Sequence, residues 1–172
     1  MNKLILIILF TILVSNEDIY QIEDYYRLFE SVSIDVPNDY FENQGCVNGS
    51  CNNGEGTFVY GLPMYEGEWK DGKEHGNGTR TWSNGDILSG IWENGNITYG
   101  TYFYGSGRYF GDIYTGEFKN NKKGGYGIYK REDNGEIYAG EWIDDYPNGK
   151  GKKIDKDGHI LEGLFFDGEI IE

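Results

Sequence analysis

The sequence predicts an all-β fold: a single elongated, twisted antiparallel sheet of consecutive β-hairpins, preceded by a short N-terminal helical cap. Three observations carry that prediction. A five-residue pattern recurs as YEGEW (65–69), LSGIW (88–92), YTGEF (114–118), YAGEW (138–142) and LEGLF (161–165). Its central glycines, Gly67, Gly90, Gly116, Gly140 and Gly163, are 23, 26, 24 and 23 residues apart. A period of that length marks an array of supersecondary units, none of which buries its apolar face alone. Composition agrees, because 27 glycines, 15 tyrosines and only 3 prolines among 172 residues suit short strands joined by glycine turns, with rings to bury.

The chain opens on MNKLILIILFTILVS, in which Lys3 precedes an apolar run, Leu4–Val14, interrupted only by Thr11. Those 11 residues rise about 16 Å as a helix, roughly half a bilayer core. The layout of residues 1–15 is that of a secretory signal peptide, with cleavage expected after Ser15; the alternative is an uncleaved N-terminal anchor. Residues 16–45 carry no repeat. Within them Ile19, Ile22, Tyr26, Phe29 and Val32 share one helical face, with Asn16 or Ser15 as N-cap and Glu17 and Asp18 in the first turn. This segment is expected to cap the apolar end of the array, and the alternative is a partner-binding helix.

Residues 46–172 are assigned to the array, about five hairpins. In the first unit Tyr65, Gly67 and Trp69 alternate onto one face, and Glu66, Glu68 and Lys70 onto the other. Asp71-Gly72 follows, a dipeptide suited to tight hairpin turns that need positive φ. Gly76 and Gly78 open the return strand, and Asn84-Gly85 closes the unit. Later turns are expected at Asn94-Gly95, Asn134-Gly135, Asp157-Gly158 and Asp167-Gly168. Gly67 is expected to leave a slot on a bulky face that an aromatic of the neighbouring hairpin fills, interlocking the units.

YEGEWKDGKEHGNGT and YAGEWIDDYPNGKGK resemble MORN repeats: an aromatic-x-Gly-x-aromatic strand, a glycine turn and a Gly-x-Gly return. The resemblance covers roughly residues 52–172, and GCVNGSCNNGEGTFVYGLPMYEGEW is similar to the opening segment of bacterial MORN proteins. The second unit departs from the pattern, with Ile97 or Thr98 for the first return glycine and about four extra residues before Gly111. The fourth has DDYPNG in place of its first turn glycine. Local bulges are expected in both.

Cys46 and Cys51 are the only cysteines, and in a chain that reads as secreted they favour a disulfide that staples the start of the array. A two-cysteine metal site lacks nearby histidines. His75 and His159 stand in different units with no nucleophile to pair, so no catalytic residue is assigned and the chain is read as not an enzyme, without cofactor. Asp155, Asp157 and Gly158 in DKDGHILE suggest a calcium loop, but Lys153 and Leu164 occupy its ends, and a hairpin turn accounts for the same residues. Sequons stand at Asn48, Asn77 and Asn96, in stretches expected to be turns or loop edges.

The formal charge is −14, which disfavours nucleic acid and anionic headgroups. The basic residues Lys119, Lys122, Lys123, Lys130 and Arg131 are interrupted by acids and read as solvated hairpin faces. One sheet face is expected to carry Tyr65, Trp69, Trp92, Tyr114, Phe118, Tyr138, Trp142 and Phe165, partly exposed for binding, and the other face the charges. The leading function is a secreted or surface-attached, non-catalytic protein–protein interaction scaffold, self-association included. The resemblance also implies phospholipid or membrane attachment as the alternative, and exposed tyrosine and tryptophan suggest glycan binding as a third.

Overall fold

The structure, a computed structural model, describes residues 44–61 and 63–171. The expected signal segment (1–15) and the helix of the 16–45 segment lie outside the described residues. The strands are β1 (Gly45–Gly49), β2 (Gly54–Val59), β3 (Met64–Lys70), β4 (Lys73–Thr81), β5 (Ile87–Glu93) and β6 (Asn96–Phe103). They continue as β7 (Ile113–Lys119), β8 (Lys122–Lys130), β9 (Ile137–Ile143), β10 (Tyr146–Ile154), β11 (Ile160–Phe166) and β12 (Glu169–Ile170). All twelve form one open sheet whose strand order is the sequence order. The five repeats are therefore the hairpins β3–β4 to β11–β12, and a sixth hairpin, β1–β2, precedes them. Among the described residues no helix is long and apolar enough to cross a membrane.

The turns inside the units follow from residue type. Asp71-Gly72, Asn94-Gly95 and Asp167-Gly168 all take positive φ at both central positions, the backbone that a two-residue hairpin loop demands. Asn120-Asn121 and Asp144-Asp145 do the same without glycine; short Asn and Asp side chains tolerate this region better than other residues. Each of the first four units carries a bulge, not only the two departing ones. Register slips just after Gly67, after Gly116 and between Pro147 and Gly151. The glutamate after the central glycine closes it. Glu68, expected as an ordinary outer-face position, accepts the Asn77 amide at 2.8 Å, and Glu117 and Glu141 accept those of Tyr126 and Lys150 at 3.1 Å. The second unit has Ile91 there, and its bulge is closed by the Thr98 hydroxyl donating to the Ile91 carbonyl at 3.0 Å. Its extra residues form a single 3-10 turn, Gly107–Tyr109.

The occupant of the glycine slot differs from expectation. Gly67 faces Gly78 across the strands, as Gly116 faces Gly127 and Gly140 faces Gly151. Over each glycine pair lies the tyrosine of the same strand, Tyr65, Tyr114 or Tyr138. Its hydroxyl donates to the carbonyl three residues on, 2.7 Å for Tyr114 to Glu117 and 3.0 Å for Tyr138 to Glu141. A phenol is long enough to cross two glycines and reach the bulge; an aromatic from the next hairpin is not needed. In the second unit Leu88 replaces the tyrosine, and Ile97 covers Gly90 and Gly100 instead. The interlock between units is made on the rim of each tyrosine. Tyr65 meets Trp69 and Trp92 edge-on at 5.2 and 5.3 Å, and Tyr138 meets Trp142 and Phe165 at 5.3 and 5.0 Å. Indole N–H groups of Trp69, Trp92 and Trp142 donate to Gly56, Gly78 and Gly127 of the preceding return strand.

Cys46 and Cys51 form a disulfide across the start of the sheet. Its loop is five residues in sequence separation, so replacing both cysteines by serine should lower stability by only about 2 kcal/mol on the loop-entropy scale. Chemical denaturation of oxidised and Cys46→Ser/Cys51→Ser protein measures this; a loss of the whole transition would show that the staple nucleates the array.

Candidate functional site: a groove over the aromatic ladder

The eight aromatics expected to be a partly exposed binding face are core. Tyr65 and Tyr114 are fully buried, and Trp69, Trp92, Phe118, Tyr138, Trp142 and Phe165 are buried with them. The reason is the cover described above: each tyrosine folds onto glycine, and each indole onto that tyrosine. The expected separation of charge also fails. The outer face is a row of Glu66, Thr79, Ser89, Thr101 and Thr115, with Thr79–Ser89 and Thr101–Thr115 hydroxyl pairs at 2.9 and 3.0 Å. Several charges instead share the aromatic face, because residues directly opposite in antiparallel strands point the same way. Arg80, Tyr102, Tyr129 and Lys153 stand opposite Tyr65, Leu88, Tyr114 and Tyr138. Glu74, Ile97, Lys123 and Pro147 stand opposite Trp69, Trp92, Phe118 and Trp142.

Of these, Arg80, Tyr102, Lys123, Tyr129, Pro147 and Lys153 line an open groove of about 630 Å³ above the buried ladder. Trp82, Tyr102, Tyr104 and Tyr109 form a run of tilted rings along it, with successive centroids 5.8, 4.6 and 5.7 Å apart. Two hydroxyls of the lining are anchored: Tyr102 donates to Asp86 at 2.6 Å, and Tyr129 donates to Asp112. Burial, then these carboxylates, push the phenols of Tyr102 and Tyr129 well above the usual tyrosine range. Behind the lining residue Arg80, Glu74 is buried, ion-paired with that arginine and hydrogen-bonded by Tyr60 at 3.2 Å. The Arg80 guanidinium lies 4.6 Å over the Trp92 ring.

Lys123, expected on a solvated face, is packed among rings. Its Nζ is 4.7 Å from the Tyr129 ring centre, 4.9 Å from Trp142, 5.6 Å from Tyr114 and 5.7 Å from Tyr104. It donates to the Tyr104 hydroxyl at 3.2 Å. Burial pushes its amine down to about 8, with Asp145 and Asp112 acting the other way.

Of the groove lining, the sequence reading named Phe118, Tyr138, Trp142 and Phe165 and missed the return-strand residues, although a signal existed. The second residue after the return glycine (Arg80 after Gly78, Tyr102 after Gly100, Tyr129 after Gly127, Lys153 after Gly151) is bound to the aromatic face by period-two alternation. Elsewhere the chemistry is that of turns. Asp155, Asp157 and His159 bring ligand atoms within 4.8 Å, but the Asp155 carboxylate is already taken by the Asp157 and His159 amides and the His159 ring at 2.9 Å. Asn77, a sequon residue expected at a turn, is in β4, its amide held by Glu68 at 3.0 Å.

The MORN repeat family profile matches residues 65–87, 114–136 and 138–160. These are the three units with a tyrosine over paired glycines; the unmatched second unit is the one built on Leu88 and Ile97. Over 104 residues, 59% of this chain, the sequence is 32% identical to Alsin of Homo sapiens and equally to Alsin of Mus musculus. The matched stretch is 6% of the length of those relatives. Profile, period and the tyrosine-on-glycine construction agree, and the chain is a MORN-repeat protein.

Proposed function

We propose that this chain is a non-catalytic interaction scaffold, acting outside the cytoplasm, whose binding surface is the groove walled by Trp82, Tyr102, Tyr104 and Tyr109. The observation that carries this reading is the groove itself, with tyrosine and tryptophan presented on a rigid floor that needs no rearrangement to receive a partner. Rigid aromatic surface is what protein interfaces concentrate at their centres. The secretory-type leader and the Cys46–Cys51 disulfide support the location.

A second contact of the same class is self-association at the last hairpin. Strand β12 pairs only with Phe165 and Phe166, so along Ile160–Gly163 strand β11 is paired on its inner side by β10 and has no strand on its outer side among the described residues. Ile160, Leu161, Leu164, Phe166 and Ile171 are exposed there. An apolar edge of this kind invites another strand.

Mass by light scattering, with and without anionic liposomes, tests both parts. A dimer that Phe166→Glu converts to monomer, indifferent to liposomes, is the expected result. A monomer that pellets with liposomes through Trp82 and Tyr109 would replace the protein-scaffold reading with the membrane one.

A further inference from the structure

Charge is distributed on the groove opposite to the rest of the chain. Of 15 basic and 29 acidic residues, the lining includes Arg80, Lys123, Arg131 and Lys153 against only Glu136 and Asp145. Three of the four cations are answered within the protein: Arg80 by Glu74, Arg131 by Asp133 at 2.8 Å and Lys153 by Glu136 at 2.9 Å. Lys123 is not. No carboxylate forms an ion pair with it among the described residues. Of the three N–H donors of its ammonium, the Tyr104 hydroxyl takes one. The rings of Tyr104, Tyr114, Tyr129 and Trp142 stabilise the cation from the sides. They offer no counter-ion, and a desolvated ammonium without one is costly.

Resting on the scaffold reading, we propose that the groove takes a partner segment bearing a carboxylate flanked by apolar side chains, and that Lys123 is the residue that reads the carboxylate. The apolar flanks lie on Trp82, Tyr104 and Tyr109, and the carboxylate accepts the two remaining Lys123 donors. The low-dielectric surround that weakens a lone charge strengthens a pair formed inside it. Specificity follows from the same feature, since a partner that seats an apolar or amide group there leaves the ammonium uncompensated, and one that seats a cation meets repulsion. The groups facing Lys123 are Tyr104, Tyr114, Tyr129, Trp142, Asp112 and Asp145. The two aspartates, further off, keep the amine charged around neutral pH. Binding of an acidic segment should therefore hold below about pH 8 and weaken above it, where the free amine loses its proton.

Selection of a random peptide library displayed on phage against the full chain tests this. A protein of charge −14 enriches basic peptides if only its net field matters. The proposal predicts the reverse at the groove: peptides whose binding is lost in Trp82→Ala are enriched in Asp or Glu beside apolar residues. Replacing that acid by its amide should cost about tenfold in affinity, and Lys123→Met, which keeps the ring packing filled, should abolish both the enrichment and the tenfold difference. Groove-dependent peptides without acidic enrichment, or with the same enrichment on Lys123→Met, overturn the assignment while leaving the groove as a docking surface. Absence of any peptide sensitive to Trp82→Ala overturns the scaffold reading and the assignment together.

Discussion

Gly140→Val is expected to lower the melting temperature by roughly 10 °C or more, a destabilisation of about 3–4 kcal/mol from overpacking and a lost hydroxyl bond. Strand propensity alone predicts the opposite, because valine is among the best strand residues and glycine among the worst. The geometry decides the sign. A Cβ at Gly140 would lie 2.6 Å from the Gly151 Cα, the Lys150 carbonyl oxygen and the Tyr138 hydroxyl. Two of those are backbone and cannot turn aside. Valine there must expel Tyr138, which then leaves both Trp142 and Phe165. Gly158→Ala is the control. Nothing lies within 4 Å of its Cβ position, and its φ of +82° is the only obstacle, so the cost should stay near 1 kcal/mol. Thermal unfolding of the two variants separates close approach from backbone conformation. An unchanged melting temperature for Gly140→Val would show that the tyrosine-on-glycine contact does not hold the array together.

Alkali should unfold the protein in one cooperative step, with tyrosinate absorbance appearing at the same pH as strand signal is lost. Burial, before any neighbouring charge, raises the phenols of Tyr60 and Tyr138 to about 12, and those of Tyr65, Tyr104 and Tyr114 further still. A group whose folded pKa is raised contributes stability in full below its unfolded value and loses it as pH climbs through the gap. For Tyr65, Tyr104, Tyr114 and Tyr138 the loss begins near pH 10, at roughly 1.4 kcal/mol per tyrosine per pH unit; Tyr60 is exposed and solvent screening leaves it a smaller share. Several acting together exhaust an ordinary stability of about 5–15 kcal/mol within one or two units. Lys123 works in the other direction. Its folded pKa is lowered to about 8, so between there and the unfolded value near 10.4 only the unfolded chain holds the proton, and stability rises with pH. The combined profile climbs gently from about pH 8, then collapses above about pH 10. Phenols that titrate independently and gradually around pH 10, with strand signal intact, would show that the ladder admits water.

Much of the fold is written locally and could be read so. The Asp-Gly and Asn-Gly turns, the glycine period and the alternation of YEGEW each reflect a constraint satisfied within a few residues. The site was less legible, for a reason visible at Tyr65. Alternation places Tyr65 and Trp69 on one face but does not say what covers them. Whether that face is a surface or a core depends on Gly78 and Trp92, 13 and 27 residues downstream of Tyr65, and on the register that brings them there. The same register puts Lys123 opposite Phe118. No composition argument finds an ammonium among four rings, because only one of those rings, Tyr129, comes from its own strand. The second unit shows the limit from the other side. Its departure from the pattern is plain in the sequence, but that Ile97 would take over from a tyrosine is a matter of volume in three dimensions.

Strand order that repeats sequence order has a consequence for inheritance. Every strand pairs only with the strands encoded immediately before and after it, and rings of one unit meet those of the next. Copying or excising one stretch of 23–26 codons therefore lengthens or shortens the sheet without asking distant parts of the gene to change in step. The second unit shows how much one unit can differ within the same sheet: where its neighbours use a tyrosine and a glutamate, an isoleucine and a threonine make the corresponding contacts.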